Sequence, residues 1–483
     1  MDPLTWTGSL GTILNPLLFG LAGLFLLAVV LQTVVSFVVE APVLQSNPDG
    51  TIARTPGFPG LLEQVVKWLL LGLILVILAY IVAGALMPYG SAGIVGAVSA
   101  RFSPVWIALV ATFALSIATK RKTGLYGKLF DSTIGMVGFG LVMFWVFTAV
   151  FVGFFDLIAT HDPLSQIVAM KNEVPGMPVQ GGDEGVFPHY LLGGDNLARD
   201  IFSRMVEGSV VVMQIAPLAT IFAFMVGITL GLPAGYYGGR LDTVLSFLAN
   251  LILAFPVILL FYLLVTPEIV ATGIPSYMAM VLFIFPIVFF TVLLNSRYYT
   301  RPALRTALLV AVVGSLGLLY ISLVNAQGSV IDVLPAWLDL FDVPGGILVV
   351  FVAVVFVNSP TVFRIVRGLA LDIKTRDYVA AAQTRGEGPW YIMLWEILPN
   401  ARGPLIVDFC LRIGYTTILL GTLGFFGLGL PPESPDWGTT INDGRRLLSI
   451  YPHPALPPAI ALLTLVLGLN LLADGLREES LKD

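Results

Sequence analysis

Apolar residues run for about twenty positions at a time along nearly the whole chain, and polar residues collect in the gaps between runs. A run of that length crosses roughly 30 Å of hydrocarbon as a helix. Eleven such runs are predicted. They lie near residues 17–39, 65–87, 103–119, 133–156, 209–235, 243–265, 276–295, 303–325, 346–367, 404–430 and 455–476. The pattern defines an all-α polytopic membrane protein with about eleven transmembrane helices. Composition agrees: of 483 residues, 57% are hydrophobic and 11% charged, and the mean hydropathy is +0.91. A water-soluble domain with a charged surface does not have that balance, so the bilayer is the solvent for most of this chain. The first run follows a segment without Lys or Arg, and so lacks the basic start of a cleavable signal and reads as a retained helix.

Charge sets the expected orientation. With the N-terminus outside and the C-terminus cytoplasmic, the outer segments hold only Arg101, Lys171, Arg199, Arg204, Arg445 and Arg446 of the 25 Lys and Arg residues. Arg412 falls within a run, and the rest lie in or beside the cytoplasmic loops, as the positive-inside rule requires. Cys410 is the single cysteine, which excludes a disulfide framework or a thiolate metal site.

The most informative loop lies between the runs ending near Arg367 and starting near Pro404. It reads as two short helices. Asp377 is placed to cap the first, Ala380, Ala381 and Ala382 form its body, and Gly386 turns the chain before Pro389 opens the second. Trp390, Ile392, Met393, Trp395 and Ile397 make the second helix apolar over much of its circumference. That surface calls for a protein partner, or for the inner leaflet, where Arg364, Arg367, Lys374, Arg376 and Arg385 would anchor an interfacial helix.

This loop resembles that of the inner-membrane permeases of binding-protein-dependent ABC importers, whose pattern is Glu-Ala-Ala, three residues, Gly, nine residues, then a segment ending in Leu-Pro. Ala380-Ala381-Ala382, Gly386 and Leu398-Pro399 stand at that spacing. The resemblance implies a coupling helix that docks in a groove of a cytoplasmic ATPase, carried by Asp377, Tyr378, Ala380, Ala381, Ala382, Gly386, Trp390, Leu398 and Pro399. Ala380 departs from the family's Glu.

A second stretch, Leu192 to Arg204, is similar to the Leu-Gly-Thr-Asp-x-x-Gly-Arg-Asp-x-x-Ser-Arg signature of C-type peptide permeases. Gly194 and Ala198 replace its Thr and second Gly. Read from the residues, it forms an amphipathic helix at the outer membrane surface. Asp195 with Arg199 and Asp200 with Arg204 are i,i+4 pairs, and Leu197, Ile201 and Met205 share a face. Gly193, Asp195, Asn196, Arg199, Asp200, Ser203 and Arg204 are the candidate residues, expected to frame the periplasmic gate.

Further stretches resemble the same subfamily in order: His161-Asp162-Pro163, Ala234 to Gly239 with Asp242, Ala254-Phe255-Pro256, Gly427-Leu428-Gly429, Trp437-Gly438 and Asp474 to Arg477. Leu420 stands where relatives often carry Glu. The resemblance covers about residues 133–483 and divides the chain. Residues 1–130 are an extension with three extra helices, 131–205 the first core helix and outer loop, and 206–265 core helices two and three. Residues 266–345 are an insertion of two extra helices, and 346–483 hold core helices four to six with the coupling loop 372–400. Two inserted spans return the chain to its starting side and preserve the orientation of every later core helix.

Other chemistry is missing. Gly127-Lys128 is followed by Leu129, so no phosphate-cradling loop exists, and His161, His189 and His453 have no metal-ligand spacing. Asp408 and Arg412 form an i,i+4 pair within a span, either closed on each other or facing a translocation pathway.

The resemblance therefore implies a permease subunit of an ABC importer for dipeptides or oligopeptides in the cell inner membrane. It would not itself be an enzyme or hold a cofactor. ATP and Mg would be used by two cytoplasmic ABC ATPases. A second homologous permease subunit, a periplasmic substrate-binding protein and membrane lipid complete the expected partners, with no nucleic acid. An ion-coupled secondary transporter is the alternative; it predicts inverted repeats and several intramembrane carboxylates, which the sequence does not display convincingly.

Overall fold

A backbone in hydrocarbon must satisfy its own hydrogen bonds, and this chain does so with helices. The computed structural model describes residues 2–38, 45–46, 52–53, 58–180, 187–324, 345–428 and 434–480. Among them, strands are confined to two short antiparallel pairs, Gln45–Ser46 with Ile52–Ala53 and Met177–Pro178 with His189–Tyr190.

Ten helices among the described residues are long and apolar enough to cross a membrane: Gly8–Val35, Gly60–Leu86, Ser103–Lys122, Thr133–Gly153, Ile201–Tyr237, Ile274–Arg297, Pro302–Ser322, Gly346–Ile373, Arg402–Phe426 and Leu456–Glu479. The eleventh expected run, 243–265, is not one rod. It consists of Gly239–Leu253 and Val257–Val265, bent by 81°. The break falls at Ala254-Phe255-Pro256, where Pro256 caps the second helix and disfavours helical geometry at Phe255. The expected end of the insertion lies largely outside the described residues, as does Gly429.

The chain forms two compact units. One comprises residues 1–104, 157–161 and 165–202; the other comprises 105–156, 162–164 and 203–483. In the first, the segment before the first helix is pinned by backbone bonds. Leu4 N–H donates to the Gly176 carbonyl (2.8 Å), while Ile94 and Val95 N–H groups donate to Thr5 and Trp6 carbonyls (both 3.0 Å). The guanidinium of Arg101 lies 4.7 Å from the ring centre of Phe187. Residues 192–202 of the signature thus belong to the same unit as residues 1–104 of the N-terminal extension.

The second unit is held by close helix crossings at small residues. Association in lipid relies on packing, so bare backbone contact is favoured. Gly227, Gly231 and Gly235 recur every fourth residue on the Ile201–Tyr237 helix and face Val362, Val366 and Ala370. A Cβ at Gly235 would stand 2.7 Å from the Arg367 carbonyl. Gly138 makes a similar approach to the Leu456–Ser480 helix, where a Cβ would stand 2.3 Å from Leu472 N.

Candidate functional site

The loop after Ile373 folds as two short helices with a glycine elbow. The first is Asp377–Thr384. Its N-cap is Arg376, and no side chain caps it, so Asp377 is the first helical residue and not the expected cap. A carboxylate there still meets the positive end of the helix dipole. Val379 and Ala382 are wholly buried, whereas Asp377, Tyr378, Ala380, Ala381 and Gln383 are exposed. The helix is therefore fastened through one side, and the other side presents small residues to solvent. Gly386 has φ +80°, a left-handed turn. Its N–H donates to the Gln383 carbonyl (3.0 Å) and that of Glu387 to Ala382 (3.2 Å), the Schellman closure that ends the helix.

The second helix departs from a uniform rod. Pro389 opens it, and Ile392–Ile397 form a π-helical turn, a feature often found at functional sites. Ile392, Met393, Leu394 and Ile397 are buried in one cluster with Leu232, Val362, Val366 and Ala370, and Trp390, Trp395 and Leu398 pack beside it. The apolar surface is covered by protein, which removes the basis for an interfacial helix on lipid. Pro399 is exposed. Arg385 pairs with Glu396 at 3.0 Å on the surface, a contribution of about 0–1 kcal/mol.

Three contacts tie this loop and the end of the Gly345–Ile373 helix before it to the motif between Ala234 and Asp242. Arg367 grips Asp242 with both guanidinium arms, Nη2 to Oδ2 at 2.6 Å and Nε to Oδ1. Lys374 Nζ donates to the Gly235 carbonyl (2.8 Å), and Gln383 Nε2 donates to the Tyr236 hydroxyl (3.1 Å). In the sequence this motif stands out without a role. The sequence offers Asp242 only as part of a family stretch and Arg367 and Lys374 only as inner-leaflet anchors; their joining, and the part of Tyr236, were not foreseen, and the signal was the placement of that motif at the end of a long span.

The signature stretch is not the expected surface helix. The helix starts at Ile201, and residues 192–200 form a buried loop organised by carboxylates. Asp195 Oδ1 accepts from the N–H groups of Leu197 and Arg199 (both 2.8 Å), and its Oδ2 accepts from Arg199 Nε (2.7 Å). Asp200 accepts from the Thr160 hydroxyl (2.7 Å), lies 3.2 Å from His161 Nδ1 and takes the Phe202 N–H at 3.2 Å. Asp195, Arg199 and Asp200 are 1%, 3% and 0% exposed, so the Asp195–Arg199 ion pair lies in the interior. Leu197 is exposed and does not share a face with buried Ile201 and Met205. The pattern of charges four apart is equally satisfied by a short carboxylate-centred turn, which explains the misreading.

Both departures from the signature have a local reading. Ala198 has φ +64°, a left-handed conformation that suits the family's Gly better. At Gly194 a Cβ would stand 1.9 Å from the Met170 carbonyl, so a larger residue has no room. Gly193 also has positive φ, and Asn196 is half-buried. The Tyr190 hydroxyl donates to the Ala198 carbonyl (3.2 Å). Burial, and then the charges of Asp200 and Asp195, push this phenol above its ordinary range and keep it a proton donor.

Ser203 and Arg204 are fully buried. Arg204 donates to the carbonyls of Ser434 (3.1 Å) and Pro163 (3.4 Å). Beside it, Trp437 Nε1 donates to the Met205 carbonyl (2.8 Å) and its ring meets Trp145 edge-on at 5.0 Å. Asp436 caps the Trp437–Arg445 helix by accepting from Thr439 N (3.1 Å) and the Thr439 hydroxyl (2.7 Å). Burial raises its carboxyl above the usual range, against these hydrogen bonds and the Arg204 charge. Leu420 lines a void of about 10 Å³ with Asp436 and Trp437. A carboxylate at 420 would stand near a second buried one, which would disfavour its charged form. Asp408 and Arg412 pair at 3.3 Å with side chains 14% and 13% exposed, the closed local arrangement. Among the described residues no group of three metal-ligating side chains comes together.

Long apolar helices joined by ordered loops define an all-α polytopic membrane protein. Residues 227–478, just over half the chain, match the family of binding-protein-dependent transport system inner membrane components, and the chain belongs to it. It is similar to the glutathione transport system permease protein GsiD of Pectobacterium atrosepticum, with 29% identity over 61% of this chain and 73% of the relative. It is also similar to the dipeptide transport system permease protein DppC of Alkalihalophilus pseudofirmus, with 27% identity over 67% and 81% respectively. DppC of Haemophilus influenzae shows 28% identity over 61% and 75%. The protein is a multi-pass inner-membrane permease component.

Proposed function

We propose that this chain is the membrane-spanning subunit of an ABC importer for small peptides, the substrate class that includes dipeptides and glutathione. The observation that carries the reading is the exposed face of the Asp377–Thr384 helix. Ala380 and Ala381 are bare to solvent while Val379 and Ala382 fasten the helix from behind. Small residues let another backbone approach closely, as a docked ATPase requires. In this reading the ATPases bind and hydrolyse ATP with Mg, and this chain carries their movement through Arg367, Lys374 and Gln383 to the helices ending at Tyr237 and starting at Gly239. The signature loop and Arg204 face the periplasm, where a binding protein delivers peptide. The N-terminus is outside, and a second permease subunit completes the path. Asp408 and Arg412 neutralise each other beside that path.

A single Cys at Ala381, in a Cys410→Ser background, tests the docking face by disulfide crosslinking to a Cys-bearing ATPase in membranes, alongside peptide uptake. Ala381 is the position of choice because Ala382 is buried. The expected result is a crosslink whose yield changes with ATP, together with ATP-dependent uptake of a dipeptide. No crosslink with folded ATPase present, and uptake driven by an ion gradient, would sink the reading.

A further inference from the structure

The Ile284–Arg297 helix, which the sequence assigns to an insertion in the family core, makes its polar contacts with the second half of the coupling loop. The contacts converge on one ring. Trp395 Nε1 donates to the Ser296 hydroxyl oxygen at 3.1 Å. The Ser296 hydroxyl proton is already given to the Leu293 carbonyl (3.0 Å), so its oxygen is oriented to accept. The neighbouring residue, Arg297, lays its guanidinium 4.5 Å from the centre of the Trp395 ring. Edge and face of the indole are thus gripped by consecutive residues of the same helix. Trp395 sits in the π-turn, the irregular part of the loop. Behind it, Phe289 and Val292 pack with Trp390, Leu394, Ile228 and Leu232 around a void of only about 10 Å³, so the contact is well filled.

Directly beside the Ser296 contact the packing opens. A cavity of about 580 Å³ lies between the inserted helices and the elbow, lined by Asn295, Tyr299 and Leu309 and by Gly386, Gly388 and Tyr391. The elbow therefore has space to move while the far end of its helix is held. Gly386 and Gly388 carry no side chain to obstruct such a movement.

We infer that Ser296 and Arg297 are positioning residues for coupling. The inserted helix holds Trp395 as a fulcrum, and the elbow from Gly386 to Pro389 swings against the open cavity when the docked ATPase moves. The inference rests on the importer reading above and gives the inserted helices a role in that same site. Without the grip, the loop would yield locally and less of the ATPase movement would reach the transmembrane helices.

The test uses the complete transporter in proteoliposomes, comparing wild type with Ser296→Ala, Arg297→Ala, Ser296→Thr and Arg297→Lys. Peptide transported per ATP hydrolysed is measured with the KM for ATP. Loss of either contact is expected to lower transport per ATP about three- to tenfold, with KM for ATP unchanged and the ATPase still co-purifying. The Thr and Lys variants, which keep the acceptor and the cation, should recover most of the loss. Unchanged stoichiometry in both Ala variants overturns the fulcrum. So does equal impairment in the conservative variants, which indicates a folding defect. Absence of ATP-driven uptake in wild type itself overturns the importer reading, and the fulcrum with it.

Discussion

The signature loop and the coupling loop are both rich in charged and small residues, yet they use them in opposite ways. In the first, Asp195, Arg199 and Asp200 are sealed from solvent, and their carboxylates are satisfied by nearby donors. In the second, Arg385 and Glu396 pair on the surface, and the buried side of the helix is apolar. A buried ion pair that loses one member leaves an uncompensated charge, whereas an exposed residue can change without such a penalty. The contrast separates residues that fix the shape of a loop from residues available to another protein.

The largest expected effect comes from attacking the buried side of the contrast. Asp195→Ala removes, inside a buried loop, a carboxylate that pairs with Arg199 and accepts from two backbone N–H groups, and should destabilise the protein by about 3–5 kcal/mol. Thermal unfolding in detergent measures it, and a loss under about 1 kcal/mol would place the loop with ordinary surface pairs. The matching change on the exposed side, Ala380→Glu, should stay within about 0.5 kcal/mol of wild type.

A middle-sized effect sharpens the comparison through pH. Burial raises the Asp436 carboxyl in the folded protein above its unfolded value. Its contribution to stability is therefore present below the ordinary Asp range and is lost as pH rises through the raised value. Asp436→Asn keeps an oxygen for the Thr439 N–H and removes the titration. The variant should show a flatter dependence of melting temperature on pH from acid to neutral; a slope equal to that of wild type would assign the dependence to other groups.

The smallest effect concerns the backbone. Ala198 holds a left-handed conformation that glycine adopts without the Cβ clash. Ala198→Gly should stabilise by about 0.5 kcal/mol, the relief being partly offset by the greater freedom of glycine when unfolded. Equilibrium unfolding reads this directly, and a loss of stability would mean that the Ala198 methyl packs more favourably than its backbone strain costs.

How far the sequence could be read depends on the same contrast. Ten of the eleven spans were legible because hydrocarbon imposes length and apolarity on a helix. The eleventh was legible as apolar but not as bent, since Ala254-Phe255-Pro256 encodes a break without stating its angle. The coupling elbow was readable from Gly386 and Pro389, whose backbone preferences are local. Its fastening was not, because Arg367 with Asp242 and Trp395 with Ser296 join positions 125 and 99 residues apart. Spacing misled at Asp195 to Arg204, where charges four apart fit a helix and a carboxylate-centred turn alike.

The long helix that ends at Tyr237 joins Trp437 near its start, through the Met205 carbonyl, to the coupling loop at its finish, through Gly235 and Tyr236. At 1.5 Å per residue the stretch from Met205 to Tyr236 measures roughly 47 Å, longer than the hydrocarbon it crosses. A rod of that length is a mechanical lever: a tilt of about 5° about one end displaces the other by roughly 4 Å. Pro217 and Pro233 lie within it, so the stiffness of the lever is set at two points. Under the proposed importer reading, small angular changes at the coupling end would be geared into atomic-scale displacements near Trp437, without any element having to unfold.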